Sequence, residues 1–308
     1  MFDFVDSRHC ECLVKVRVLD YRVRPAHSAP VSRLPAVVAP CPRAVLTSPI
    51  NCPVRFLFNH EKSSQPLPEP VQAAVPELRQ AELAAAYYGE RQGGDHYDFV
   101  RVSSSRVIFG LLDIAGRIEE NGAIVSAAQH TFRTRSPELF CGADVNEADA
   151  MAELCLELNR AIMAAEGGIR SCPAFAGCYN EDLGTICYFN AGHTPGLLRD
   201  TIGITELPAT GLPLGLFSHA TCEAPLVALP PGAALLLVSR GLLEGRRRRE
   251  EFGLNRIKNA LQHAAGESAK DLCFTAIDGV QQFMGRPPVH NDVTALALLR
   301  TNSSKHSS

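Results

Sequence analysis

The chain has 308 residues, 46% of them hydrophobic and 20% charged, with a formal net charge of −3 and no Trp. That is the composition of a globular protein with room for a sizeable core. The charge argues against nucleic acid as an electrostatic partner, and no apolar run approaches the roughly eighteen residues of a membrane span.

Residues 1–70 hold ten of the 21 prolines and carry nine Lys/Arg against six Asp/Glu. Proline every few residues (Pro25, Pro30, Pro35, Pro40) forbids helix and central strand alike. A basic, partly disordered arm is therefore expected over 1–70. Only Cys12 to Arg24 alternates like a strand, and the arm ends in the Pro66–Pro70 linker. Such an arm is too irregular to form a sensor, so any regulatory signal is expected from a separate protein. The start, Met1 to Asp6, lacks the basic and apolar stretches of a secretory signal, which points to the cytoplasm. The eleven cysteines then read as reduced thiols. Cys172 and Cys178 are too far apart, and Cys10 and Cys12 too close, for a zinc knuckle.

An ordered domain is expected over 71–300, with a solvated tail at 301–308. Its first feature is a hairpin. The stretch from Gly93 to Val102 alternates as a strand, Ser103-Ser104-Ser105 turns, and Val107 to Leu112 runs apolar up to Asp113. A three-residue loop centred on Ser104 sets Asp95 opposite Asp113. Directly opposed side chains lie roughly 4.5–5.5 Å apart, and like charges there repel. A fold keeps such a pair when a cation lies between them. A register slip of one residue would instead send the carboxylates to opposite faces.

A helix is expected over about 119–132. A second begins at Asn146, which can cap it, with Glu147 and Asp149 in its first turn. Met151, Leu154, Cys155, Leu158 and Ile162 recur at helical spacing until Gly167-Gly168. Strands follow at 175–179, 185–189, 197–198 and 234–239, then helices at about 253–265 and 268–284, and a last strand at 293–299. Hairpins mixed with helix pairs read as α+β rather than βαβ. Arg246 to Arg249, beside Glu250 and Glu251, reads as a solvated loop, with contact to an acidic or phosphorylated partner as the alternative. Gly-x4-Gly-Lys-Ser/Thr is absent, which argues against a nucleotide-driven enzyme. Gly93-Gly94-Asp95 is followed by His96, not by the second acid that a cyclic-dinucleotide synthase needs one place later, and the strand–helix order differs.

The order of motifs resembles the metal-dependent protein phosphatase (PPM) family of the bacterial SpoIIE/RsbU type. The resemblance rests on Gly93-Gly94-Asp95-x-Tyr97-Asp98-Phe99, Asp113-x-Ala115-Gly116, Asn190-Ala191-Gly192-His193, Gly211-x-Pro213-Leu214-Gly215, Glu251-Phe252-Gly253 and Asn291-Asp292-Val293-Thr294. It covers residues 71–300. It implies an α/β/β/α sandwich of two antiparallel sheets flanked by helix pairs, two Mn²⁺ or Mg²⁺ ions at one sheet end, and hydrolysis of phosphoserine or phosphothreonine on a regulatory partner protein. Asp95 and Asp113 would bridge the ions, and the Ile114 carbonyl would complete one shell.

Two of the family's four carboxylates are missing. Where the pattern has Thr-Asp-Gly this chain has Ser239-Arg240-Gly241, and Asn291 replaces the first acid of Asp-Asp-x-Thr. The usual Gly-His-Gly is Gly116-Arg117-Ile118. With Asp95 and Asp113 as the only acids and Arg240 beside them, two dications would leave three positive charges, so one ion or none is expected. Arg240 pairing with the aspartates in place of a metal is one outcome; a single ion, with Asp292 as substitute ligand, is another. Asp98, His193 and Arg117 are candidate contacts of substrate or of the ligands. Asp98 has the alternative of a purely structural strand position, and His193 that of turn structure. The two functional readings are an active phosphatase and a pseudophosphatase that binds a phosphoprotein without turnover.

Overall fold

The computed structural model describes residues 74–88, 94–114, 116, 118–165, 170–219, 221–264, 268–285 and 292–302. The expectations for the arm, for Arg117 and Asn291, and for most of the tail lie outside them. Five strands form one antiparallel sheet in the order β1 (Ala81–Tyr88), β12 (Val293–Arg300), β9 (Ala234–Val238), β6 (Gly196–Arg199), β7 (Ile204–Leu207). The second runs β2 (Gly94–Arg101), β3 (Arg106–Ile114), β4 (Ala174–Asn180), β5 (Thr185–Ala191), β8 (Leu226–Ala228). Helices α1 (Ile118–Phe140) and α2 (Glu147–Ala164) cover the second sheet. On the first lie the one-turn α3 (Arg240–Leu243), α4 (Gly253–His263) and α5 (Ala269–Met284). This is the four-layer α/β/β/α sandwich.

Strand periodicity assigns each face. In β3, Ile108, Leu112 and Ile114 join the core under α1 and α2, while Val107, Phe109 and Leu111 fill the layer between the sheets. In β9, Ala234, Leu236 and Val238 meet the helices, and Leu235 and Leu237 face inward. Both faces are buried, so these strands read as unbroken apolar runs. None of the described helices is long and apolar enough to cross a membrane.

Two elements depart from expectation, and a strand that the sequence left unassigned precedes them. The alanine-rich Ala81–Tyr88 has helical propensity, yet all eight residues pair with β12. Ala81 and Leu83 face the inter-sheet core and Ala86 the α5 side, so the period is two. Helix α1 runs on through Pro137 to Phe140, past the expected end at 132. Proline forfeits one hydrogen bond there, but fully buried Phe140 holds the last turn in the core. The expected loop at 246–251 is a two-rung ribbon, β10 (Arg246–Arg247) against β11 (Glu250–Glu251). The cap on α2 is as expected: Asn146 Oδ1 accepts the N–H groups of Ala148 at 3.1 Å and Asp149 at 3.4 Å.

Candidate functional site

The hairpin register sets Asp95 directly across from Asp113, so no slip occurs. Both lie on the same strand faces as Tyr97, Phe99, Phe109 and Leu111, at the end of the inter-sheet layer. The other sheet contributes Thr294 from β12 and Ser239 just after β9, each in phase with inward leucines (Leu296 and Leu298; Leu235 and Leu237). Thr294 Oγ1 donates to Asp95 Oδ2 at 2.7 Å. Ser239 Oγ accepts the Thr294 N–H at 3.0 Å, and its hydroxyl donates to Asp95. The Arg240 N–H donates to Asp113 Oδ2 at 3.0 Å. The end of an apolar layer thus gathers two facing carboxylates and a ring of hydroxyl and amide donors.

Electrostatics there are strained. Burial and the facing Asp113 push the Asp95 carboxyl up to about 7, against the hydroxyls of Ser239 and Thr294, which stabilise its anion. Near neutrality Asp95 is therefore only partly ionised in the absence of a cation.

Gly94 pairs with Ile114 at the hairpin mouth, and a Cβ built there would lie 2.2 Å from the Ile114 carbonyl oxygen and 2.8 Å from Asn121 Nδ2. Only glycine lets that carbonyl, the expected backbone ligand, approach so closely.

The remaining expected residues separate. The Arg240 guanidinium does not enter the site. It is half exposed and sits 3.6 Å from Glu244 Oε1, one turn further along α3, because an N1 side chain on a helix leaving the sheet end is turned toward its own i+4 neighbour. Replacement of a metal by that guanidinium is thereby corrected, and the extra positive charge counted against a second ion is offset by Glu244. Asp292 is buried and accepts from the Tyr87 hydroxyl. Asp98 lies an odd number of residues from Asp95 and so points the other way, toward α1. Arg133 grips it bidentately at 2.6 and 3.0 Å, and the Phe99 N–H donates to it at 2.9 Å. It ties α1 to β2, on the face away from the Asp95–Asp113 pair. Arg133→Ala would strand a buried carboxylate; we expect a loss of roughly 2–4 kcal/mol in urea unfolding, and an unchanged midpoint would contradict this assignment.

His193 takes the turn role. Its N–H donates to Asn190 Oδ1 at 2.8 Å, and Gly192 before it has φ +68°. The ring is buried, which lowers its pKa, while nearby Asp113 acts in the opposite direction. Thr194 Oγ1 donates to the Val238 carbonyl, so the contact of His193 Nδ1 with the Thr194 carbonyl at 3.0 Å assigns the proton to Nδ1. Nε2 has no hydrogen-bond partner among the described residues.

Thr294 and Ser239 belong to quoted motifs, but no sequence rule gave them a role until the two sheets met. Tyr87 lay on the unexpected strand β1. Among the described residues, no three His, Cys, Asp or Glu side chains are grouped to hold a metal ion. Among the described residues, the two acids and the expected Ile114 carbonyl are hard oxygen donors of the kind that suits a divalent ion completed by water.

Comparison with known proteins agrees with this architecture. A family model described as Stage II sporulation protein E (SpoIIE) matches residues 103–301. Protein IcfG of Synechocystis is 24% identical over 256 residues, covering 74% of this chain and 39% of IcfG, so the chain spans about two fifths of that relative. The RsbU and RsbW domains of Rv1364c from Mycobacterium tuberculosis superpose with a TM-score of 0.60 at 24% identity, covering 74% of this chain and 63% of that one. The SiaA-PP2C domain of Pseudomonas aeruginosa gives a TM-score of 0.59 at 17% identity, covering 71% and 86% of the two chains. For the PP2C phosphatase domain and regulatory fragment of Bacillus subtilis SpoIIE the values are 0.56, 14%, 71% and 62%. These structural likenesses concern the fold, and the family match takes in more than half of the sequence. The chain therefore belongs to the SpoIIE family of PPM-type protein phosphatases.

Proposed function

We propose that this domain recognises phosphoserine or phosphothreonine on a regulatory partner protein and hydrolyses it weakly, with at most one Mn²⁺ or Mg²⁺ held by Asp95, Asp113 and the Ile114 carbonyl. The observation that carries the reading is the direct opposition of Asp95 and Asp113, which with burial raises the pKa of Asp95. A carboxylate whose ionisation is opposed by burial and by a facing acid gains from a nearby cation. When bound, a divalent ion supplies Lewis-acid charge to phosphoryl oxygens. This chain's own residues do the rest: Thr294 and Ser239 orient Asp95, and the Arg240 N–H orients Asp113. Binding without turnover is favoured by a specific feature, the replacement of two acids by Arg240 and Asn291.

Phosphate release from a phosphoserine peptide, measured with and without Mn²⁺, separates the two. Slow, Mn²⁺-dependent release supports weak hydrolysis; binding of the peptide with no release supports the pseudophosphatase. Rapid turnover with two ions per chain by calorimetry would defeat both.

The same pair predicts a proton linkage. Below about pH 4 Asp95 is protonated in folded and unfolded chains alike. As pH rises toward 7 the unfolded carboxyl ionises first, so the metal-free fold loses stability across that window, and above it the penalty is complete. Discounted for partial solvent access, the loss is roughly 1–3 kcal/mol. Mn²⁺ should displace the proton. At pH 6 we expect close to one proton released per ion, read from calorimetry in buffers of different ionisation enthalpy. Proton release that does not fall away above pH 8 would count against Asp95 as its source.

A further inference from the structure

We propose that the tip of the β10–β11 ribbon is a docking surface for an acidic segment of the phosphoprotein partner, lying several residues from the phosphorylated side chain. The proposal rests on the phosphoprotein reading above and adds what selects the substrate.

The ribbon's base is neutral and braced. Arg246 Nε lies 3.1 Å from Glu251, Arg256 pairs with Glu250, and the Arg256 guanidinium stacks 4.6 Å over the Phe283 ring. The Phe252 N–H closes the ribbon on the Gly245 carbonyl at 2.8 Å. Its two glutamates are therefore consumed. Arg247, Arg248 and Arg249 at the tip are exposed, and none forms an ion pair with a described residue. Three unpaired guanidinium forks on a braced support are made for carboxylates.

Arg248 strengthens the argument. It is the one described non-glycine residue with positive φ, at +60°. Glycine or asparagine fills that region at tight turns without penalty. A bulky cation held there is a local cost, and such outliers collect at functional positions.

Position links the tip to the carboxylate pair. The residue whose N–H binds Asp113 is Arg240, and the tip follows after one helical turn and a short strand. At about 1.5 Å per helical and 3.4 Å per extended residue, Arg248 lies within roughly 25 Å of it. An extended peptide covers that distance in about seven residues. The ribbon carries no apolar side chain to enter a bilayer, so an acidic peptide suits it better than an anionic membrane.

The test is fluorescence anisotropy with the full chain and no added divalent ion. The probes are a phosphoserine peptide with an Asp/Glu run about seven residues away and the same peptide with a Ser/Gly run. Arg247→Gln, Arg248→Gly and Arg249→Gln are combined in one variant. We expect the acidic peptide to bind about tenfold more weakly to the variant, as three exposed ion pairs warrant. The neutral peptide should bind both proteins alike, and the variant's thermal midpoint should be no lower, since glycine suits position 248. Equal affinity of both proteins for the acidic peptide, no binding of it at all, or preferential binding of phosphatidylserine vesicles would overturn the proposal. Ribbon-dependent binding without phosphate release on adding Mn²⁺ would sink the hydrolysis reading and leave the surface standing. Release from both peptides alike, with no ribbon dependence, would do the reverse.

Discussion

Arg240→Asp combined with Asn291→Asp raises Mn²⁺ affinity about a hundredfold or more and brings a measurable second ion. Residue 240 already touches the site, its N–H lying 3.0 Å from Asp113 Oδ2. A carboxylate at this position would sit on backbone already hydrogen-bonded to Asp113. Asn291, outside the described residues, precedes Asp292 in the sequence, and the motif resemblance puts the family's other acid there. The change restores four carboxylates, which balance two dications. A carboxylate about 4 Å from a dication gains several kcal/mol even at an effective dielectric near 20, of which a hundredfold in affinity asks for only about 2.7 kcal/mol. The cost to the fold is small, because the guanidinium is half exposed and its contact with Glu244 is a surface pair worth well under about 1 kcal/mol. Calorimetry with Mn²⁺ decides the matter, alongside phosphate release. No gain in affinity would mean that these two positions do not face the Asp95–Asp113 pair.

Gly94→Ala is the most damaging single substitution at the site. Its new methyl group would meet the Ile114 carbonyl oxygen at 2.2 Å and the Ile114 Cβ at 2.7 Å, both fixed by strand pairing. Neither can swing aside, so the mouth of the hairpin must open. We expect a loss of roughly 3 kcal/mol, a fall of about 6–12 °C in Tm, and loss of Mn²⁺ binding as Asp95 and Asp113 part. Gly122→Ala is the control. It lies on α1 with nothing within 4 Å of the added carbon, and should leave Tm unchanged or raise it. Equal behaviour of the two variants would show that the close approach at Gly94 is not structural.

The legible parts of this molecule were those in which one local period carries the information. The hairpin register followed from three serines between two alternating runs, because a turn of fixed length leaves one pairing that keeps both apolar faces inward. Asn146 announced α2 by its own side chain. Asp98 is instructive in the other direction. Its distance from Asp95 in sequence already placed it on the opposite face, but what it pairs with, Arg133, lies on a helix whose rotation no strand period reports. The strand Ala81–Tyr88 was illegible for a similar reason. Alanine favours helix in isolation, and only the open edge of β12, with eight partners, outweighs that preference.

By itself, then, the chain's order of residues determined the opposed acids and a mixture of hairpins and helix pairs, written in neighbouring positions, while the two packed sheets and the two replaced family acids came from the resemblance of its motifs. Where the Arg240 side chain goes, which hydroxyls hold Asp95, and that a run of arginines stands on a braced ribbon were decided only by tertiary packing. Those contacts join segments up to about two hundred residues apart, and their geometry depends on how two sheets and five helices settle against one another.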